Sequence, residues 1–250
     1  MTPLVVIPAR MASTRLPGKP LADIHGVPMI VHVLRRAEAA LISPVVVACA
    51  EMVIAEAVRT AGGRAVLTDP DHPSGSDRVF EAVRCVDPNA LYDVVVNVQG
   101  DMPTLESRVL AMALTALTDP ESDIATLVAP LADPREAVNP NVVKAVAGFP
   151  TAAVPGTIAR ALYFSRVAVP GGSGPLFHHI GLYAYRRAAL ARFVALPPGV
   201  LERREGLEQL RALENGLRID AVLVDTVPFS VDTPNDLERA RALLHPTSLK

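Results

Sequence analysis

The first half of the chain repeatedly alternates short apolar runs with amphipathic stretches, and this constrains its fold more than any other feature. Residues 4–8 form an apolar run rich in β-branched side chains, which reads as a buried strand. Residues 28–40 then read as a helix with Pro28 at its start and Met29, Ile30, Val33, Leu34 and Ala37 on one face. The pattern recurs as strand 45–48, helix 51–61 stopped by Gly62-Gly63, and short strand 65–68. It continues as helix 76–85 with Val79, Phe80 and Val83 on one side, strand 94–98 and helix 106–117. Such alternation predicts an α/β fold with a mostly parallel sheet and helices on both faces. Ligands of these sheets bind beyond the carboxyl ends of the strands. Here those ends are Pro8-Ala9-Arg10 and Gln99-Gly100-Asp101.

The second half is less regular. Residues 124–129, 142–146, 161–164 and 180–185 read as strands, separated by turn-rich stretches at 148–156 and 170–175. A helix at 207–215 capped by Gly216, a strand at 219–224 and a last helix at 234–244 follow, with a frayed tail from His245. The expectation is one domain over 1–250, with a lobe of mainly antiparallel strands inserted at about 130–200.

Half of the residues are hydrophobic, enough for a sizeable core. The net charge of −2 argues against a nucleic-acid coat. Cys49 and Cys85 form no CxxC pattern and read as buried, reduced thiols. The N-terminus lacks the basic region of a signal peptide, and no apolar run is long enough to span a bilayer. A cytoplasmic location is expected.

Five patches could carry chemistry. The loop from Pro8 to Pro20 holds Arg10, Arg15 and Lys19 with the hydroxyls of Ser13 and Thr14. Cations and hydroxyls leaving a parallel strand suit phosphate, although the spacing is not that of a Walker loop and a charged surface loop is the alternative. Strand 94–98 ends in Gln99-Gly100-Asp101, a carboxylate that suits magnesium or simply a turn. Asp232, ahead of Thr233-Pro234, offers a second carboxylate or a plain helix N-cap. Ser74-Gly75-Ser76-Asp77-Arg78 opens a helix near a nucleotide, or merely caps it. His178 and His179 point to opposite faces of a strand, so one of them lines a sugar site or serves the scaffold. Within 202–211, Glu205, Glu208 and Arg211 are spaced one helical turn apart, the pattern of a solvated ion-paired helix.

Together these stretches resemble the acidic-sugar cytidylyltransferase family, in particular its branch that activates 3-deoxy-D-manno-octulosonate (Kdo). The carrying motifs are Ile7-Pro8-Ala9-Arg10, Ser13-Thr14-Arg15-Leu16-Pro17-Gly18-Lys19-Pro20, Asp71-His72-Pro73-Ser74-Gly75-Ser76-Asp77-Arg78 and Asn97-Val98-Gln99-Gly100-Asp101. Asn139-Pro140-Asn141-Val142-Val143-Lys144, Tyr163-Phe164-Ser165-Arg166, His179-Ile180-Gly181-Leu182-Tyr183, Leu207-Glu208-Gln209-Leu210-Arg211 and Val231-Asp232-Thr233-Pro234 follow in order. The resemblance implies a nucleotidyltransferase (GT-A/Rossmann-like) fold, a homodimer, magnesium, and the reaction of CTP with Kdo to CMP-Kdo and diphosphate for lipopolysaccharide synthesis. On matching positions it implies that Arg10, Lys19, Asp101 and Asp232 are catalytic, with the two aspartates on the metal. CTP would touch Pro8, Ala9, Arg10, Ser13, Lys19, Ser74, Gly75 and Arg78. Kdo would meet Arg15, Gln99, His179, Glu208 and Gln209, and residues 163–170 would serve the dimer.

The chain departs from that pattern at Met102, where the family carries Glu, and at Ala48-Cys49-Ala50, where an acidic side chain is expected. The stretch around Gly171-Gly172-Ser173-Gly174 is shortened. Rival readings are activation of sialic acid or an amino-Kdo, a silent nucleotide-binding domain, and a glycosyltransferase on the same fold.

Overall fold

The computed structural model describes residues 1–245, so the tail beyond His245 lies outside the described residues. The chain divides into two compact units, one of Met1–Leu110 with the segment from Pro228, the other of Ala111–Val227. The second unit is longer than the 130–200 stretch read as an insertion.

The first unit opens with β1 (Pro3–Ala9) and a short 3-10 turn, Lys19–Leu21. A two-stranded hairpin follows, β2 (Asp23–Ile24) with β3 (Val27–Pro28), then α1 (Met29–Glu38). Next come β4 (Val45–Cys49), α2 (Met52–Thr60), β5 (Ala65–Leu67), α3 (Gly75–Val86) and β6 (Val94–Asn97). The helix α4 (Arg108–Thr115) contains the division between the units. Its strands run parallel in the order β5-β4-β1-β6. Leu4, Val5, Val6 and Ile7 are all at 0% exposure, so β1 is covered on both faces, as the unbroken apolar run requires. Gly63 is needed after α2 because a Cβ there would collide with the side chain of Leu34.

The second unit contains β7 (Ile124–Pro130), α5 (Pro134–Ala137), β8 (Lys144–Ala147), β9 (Ile158–Ser165) and β10 (Phe177–Arg186). It continues with α6 (Arg187–Ala195), α7 (Val200–Glu205), α8 (Gln209–Glu214) and β11 (Ile219–Leu223). The pairings β10–β7, β11–β9, β8–β9 and β10–β8 are antiparallel and β11–β7 is parallel, so the ring of five strands closes on itself. Closure leaves no strand of the ring with a wholly unpaired edge. The chain then returns to the first unit, where the last element among the described residues is α9 (Pro234–Leu243). Leu237, Ala240 and Leu244 of this segment pack with Ile24, Met29 and Val231.

Several elements differ from the sequence reading. The β2–β3 hairpin, α5 and α6 have no counterpart in it; two-residue strands and a four-residue helix are too short to show a period, and α6 follows β10 with no turn between them. The spacing of Glu205 and Glu208 is not one helical turn. Gly206 (φ 64°) breaks the chain between α7 and α8, and Arg211 instead reaches Glu202 at 2.7 Å. Cys49 is buried as expected, and burial pushes its thiol up to about 12. Cys85 is exposed, because α3 turns Val79, Ala82 and Val83 inward instead.

Candidate active site

A cavity of about 400 Å³ opens at the carboxyl ends of β1 and β6, within the first unit. It is lined by Arg10, Arg15, Lys19 and Arg78 against Asp101 and Asp232, four cations facing two carboxylates. Pro8, Ala9, Ser13, Ser74, Gly75 and Gln99 complete the part foreseen from sequence. Every expected nucleotide contact therefore lies in the wall of this cavity, and so do two of the five expected sugar contacts, Arg15 and Gln99.

Backbone geometry builds this wall. Gly18 adopts the left-handed region (φ 70°), which turns the chain into the 3-10 turn that begins at Lys19. The loop is tied across its neck by Gly18 N–H donating to Met11 O at 3.3 Å, and Lys19 N–H to Leu16 O at 3.1 Å. Gly100 lets the two strand-end loops approach, since a Cβ there would lie 2.9 Å from Pro8 O. Val231 N–H donates to Asp101 O at 2.9 Å, which fastens the segment carrying Asp232 beside the first carboxylate.

At the centre, Lys19 Nζ lies 2.7 Å from Asp101 Oδ2 and 3.1 Å from Asp232 Oδ1. Arg15 Nη2 adds a second contact to Asp232 Oδ1 at 3.1 Å. Burial opposes the charge on Lys19, but Asp101 and then Asp232 outweigh it and hold the ammonium above its ordinary range. Asp232 is not the N-cap considered for it. Thr233 takes that role, accepting from Asp236 N–H at 3.2 Å, while the Asp236 carboxylate accepts from Thr233 N–H at 2.9 Å. The carboxylate of Asp232 is thus left to the cavity.

Ser74 and Arg78 reach the cavity while serving the scaffold. Ser74 caps α3, and its Oγ donates to Asp77 Oδ2 at 2.7 Å. Arg78 is 2% exposed and donates to Thr68 Oγ1 at 2.6 Å, Asp69 O at 2.9 Å and Pro70 O at 3.2 Å. It shapes the loop that leads to Ser74 and Gly75. Burial lowers its guanidinium below the ordinary range, and the charge of Arg10 adds to that against nearby carboxylates.

Sequence reasoning missed Glu51. Its carboxylate accepts from Met11 N–H at 3.0 Å, and Ala50 N–H donates to Ala9 O at 3.0 Å, so the end of β4 braces the phosphate-type loop. Ala48-Cys49-Ala50 lacks the acidic side chain of the family pattern, and Glu51 supplies one a residue later. The available signal was that β4 also ends on this edge. Met102 is 5% exposed and packs as an apolar side chain.

His179, Glu208 and Gln209 belong to the second unit. His179 is 8% exposed on β10, edge-on to Phe164 and tilted against Tyr183. Thr126 Oγ1 lies 2.9 Å from Leu182 O and 3.0 Å from His179 Nε2. The hydroxyl has one proton to give, so donation to the carbonyl makes Nε2–H the donor in the second contact. Burial depresses the imidazole to about 3, and His178 adds to this, so it stays neutral. Glu208 raises the Tyr183 hydroxyl further, after burial and Tyr185, which places it in the same neighbourhood. Gln209 is buried at the start of α8. Among the described residues, no group of three or more His, Cys, Asp or Glu side chains could hold a metal.

A family model described as cytidylyltransferase matches residues 4–219. The 3-deoxy-manno-octulosonate cytidylyltransferase of Paramagnetospirillum magneticum is 63% identical, over 98% of this chain and 98% of that protein. The protein of the same name from Rhodospirillum rubrum is 66% identical, over 97% and 95%. Among solved structures, a CMP:2-keto-3-deoxy-manno-octonic acid synthetase complexed with CTP is similar, with a TM-score of 0.88 and 38% identity over 98% of both chains. A 4-diphosphocytidyl-2C-methyl-D-erythritol synthase from Anaerococcus prevotii shares the fold at 13% identity, with a TM-score of 0.61 over 97% and 98%.

Proposed function

The chain belongs to the cytidylyltransferase family, and from that premise we propose that it joins CMP from CTP to 3-deoxy-D-manno-octulosonate, releasing diphosphate. The observation that carries this reading is the cavity of the first unit, where four cations and two carboxylates meet at strand ends. That excess of positive charge suits a triphosphate. The names of the full-length relatives and the CTP held by the solved relative agree with it.

The anomeric hydroxyl of the sugar attacks the α-phosphorus, a new O–P bond forms, and the bond to the β-phosphate oxygen breaks. Diphosphate leaves with that electron pair, and the hydroxyl proton passes to solvent. Reactions of this type depend on positioning and on neutralising charge. Arg10 and Lys19 hold phosphate oxygens, and Pro8, Ala9, Ser13, Ser74 and Gly75 shape the nucleotide's seat. Arg15 and Gln99 are suited to the sugar carboxylate. His179, Glu208 and Gln209 are assigned to the sugar by resemblance; the neutral imidazole and the amide are suited to hydroxyl groups.

Asp101 and Asp232 are suited to magnesium, since both already converge on one cation, and magnesium takes one or two carboxylates with phosphates and water. A magnesium ion bound there would neutralise phosphate charge and polarise the attacking hydroxyl. A homodimer is supported by apolar side chains left exposed on β9 and just after it, Ile158 (41%), Leu162 (62%) and Val167 (63%). A cytoplasmic place in lipopolysaccharide synthesis follows from the substrates proposed. Among the described residues, no helix is long and apolar enough to cross a membrane.

The test is diphosphate release from CTP and magnesium with Kdo, with sialic acid and sugar-free controls. Release with Kdo alone is expected. Release only with another acidic sugar would replace the substrate, and no release from folded, CTP-binding protein would overturn the reading.

A further inference from the structure

The contacts of Lys19 allow a more specific inference, which rests on the reading of Asp101 and Asp232 as metal ligands. The ammonium lies within 3.1 Å of both carboxylates, and the two residues are 82 and 213 positions away in sequence. Lys19 is thus a cation already held at the point where both carboxylates converge. Two carboxylates brought together without a cation between them would repel each other. The same Lys19 faces the cavity. A divalent cation shared by both carboxylates would occupy the point that the ammonium holds, so the two exclude each other there, and phosphate oxygens offer the ammonium other partners.

We propose that Lys19 is a built-in substitute for the metal: it neutralises Asp101 and Asp232 while the cavity is free of nucleotide, and the phosphates of CTP draw it away. The carboxylates are then released to the metal in the same event. Nucleotide and metal therefore bind cooperatively, and metal alone binds poorly. By linkage, whatever the metal loses to the ammonium in the free protein is recovered when nucleotide is present. Arg15 holds Asp232 alone, so it steadies that carboxylate without competing at Asp101.

The test is Mn2+ binding to nucleotide-free protein, read from the electron paramagnetic resonance signal of free Mn2+. The whole chain, Lys19→Met, Arg10→Met and Lys19→Met/Asp101→Asn are compared, with thermal melting to show that each is folded. Lys19→Met is expected to bind Mn2+ about tenfold or more tightly than the unaltered chain, within the usual range of coupling between sites. The double variant is expected to return to weak binding. Arg10→Met removes an equal charge from the same cavity wall and is expected to change affinity much less. Equal tightening by Arg10→Met, or no tightening by folded Lys19→Met, would overturn the proposal. Mn2+-supported diphosphate release by the unaltered chain is measured on the same preparation. If it proceeds while Lys19→Met binds no tighter, this proposal falls alone. If there is neither release nor Mn2+ binding in any protein, the reading of the cavity falls with it.

Discussion

Each unit of this molecule withdraws a lysine from solvent, fully for Lys144 and partly for Lys19, and the two are held in opposite ways. In the second unit, Lys144 is at 0% exposure and its ammonium donates to the carbonyls of Asn139, Val142 and Arg166 at 2.8, 2.7 and 2.9 Å. Burial pushes it below the ordinary lysine range. In the first unit, Lys19 faces two carboxylates beside an open cavity and is held above that range. Carbonyls carry no net charge, so they can fix a lysine but give a ligand nothing to exchange with. Carboxylates beside a cavity can change partners. The same contrast separates Arg166, spent on the carbonyls of Glu205, Pro140 and Gly206, from Arg10 and Arg15 on the cavity wall. Lys144 and Arg166 are held by backbone carbonyls, whereas Lys19, Arg10 and Arg15 face the cavity.

The comparison can be broken in several places. Lys144→Met strands three buried carbonyls and should lower stability by about 3 kcal/mol in urea unfolding, while kcat per folded molecule stays unchanged. A stable Lys144→Met protein with reduced kcat would place Lys144 in the chemistry. Arg166→Ala should follow the same pattern with a loss of roughly 2 kcal/mol, since its three acceptors lie nearer the surface. His179 supplies a pH signature. Its imidazole is depressed to about 3 when folded, against an ordinary value near 6.5. The unfolded chain therefore binds the proton first. Stability from this group is complete above pH 6.5 and is lost as pH falls from there towards 3, by about 1.4 kcal/mol per pH unit. His179→Gln should remove that slope from the difference in unfolding midpoints, and parallel profiles would refute the assignment. The smallest effect belongs to the first unit. Glu51→Gln weakens the brace on Met11 N–H and should raise KM for CTP about fivefold, near 1 kcal/mol, with kcat little changed. A fall in kcat at constant KM would mean that Glu51 acts in the transition state instead.

Much of the first unit was legible because its signals are local. The run Leu4-Val5-Val6-Ile7 has no polar face to expose, so it had to be a covered strand. The parallel pattern then places Arg10 and Asp101 on one edge of the sheet. What residue chemistry alone could not supply was the meeting of Lys19 with partners 82 and 213 positions away, because no period spans such distances. Family resemblance gave Lys19 to the phosphates and both aspartates to magnesium, but not their contact with one another. For a similar reason the cap alternative for Asp232 stays open in the sequence beside its reading as a metal ligand. Asp232 and Thr233 are both good caps, and only the hydrogen bonds to Asp236 show which was used. In the second unit, Gly206 hid the break between α7 and α8 inside a charged run that counts as helical. The closed ring of five strands was beyond reach, since its pairings join strands far apart in sequence and depend on register.

The central claim is that the carboxylates facing Lys19 serve the reaction and not the fold. Asp101→Asn tests it most directly, with turnover of CTP and Kdo measured beside the melting temperature of the same sample. The account predicts a loss of kcat on the order of a hundredfold or more with melting little changed. Turnover like that of the unaltered chain, or loss of activity only because the protein no longer folds, would contradict it.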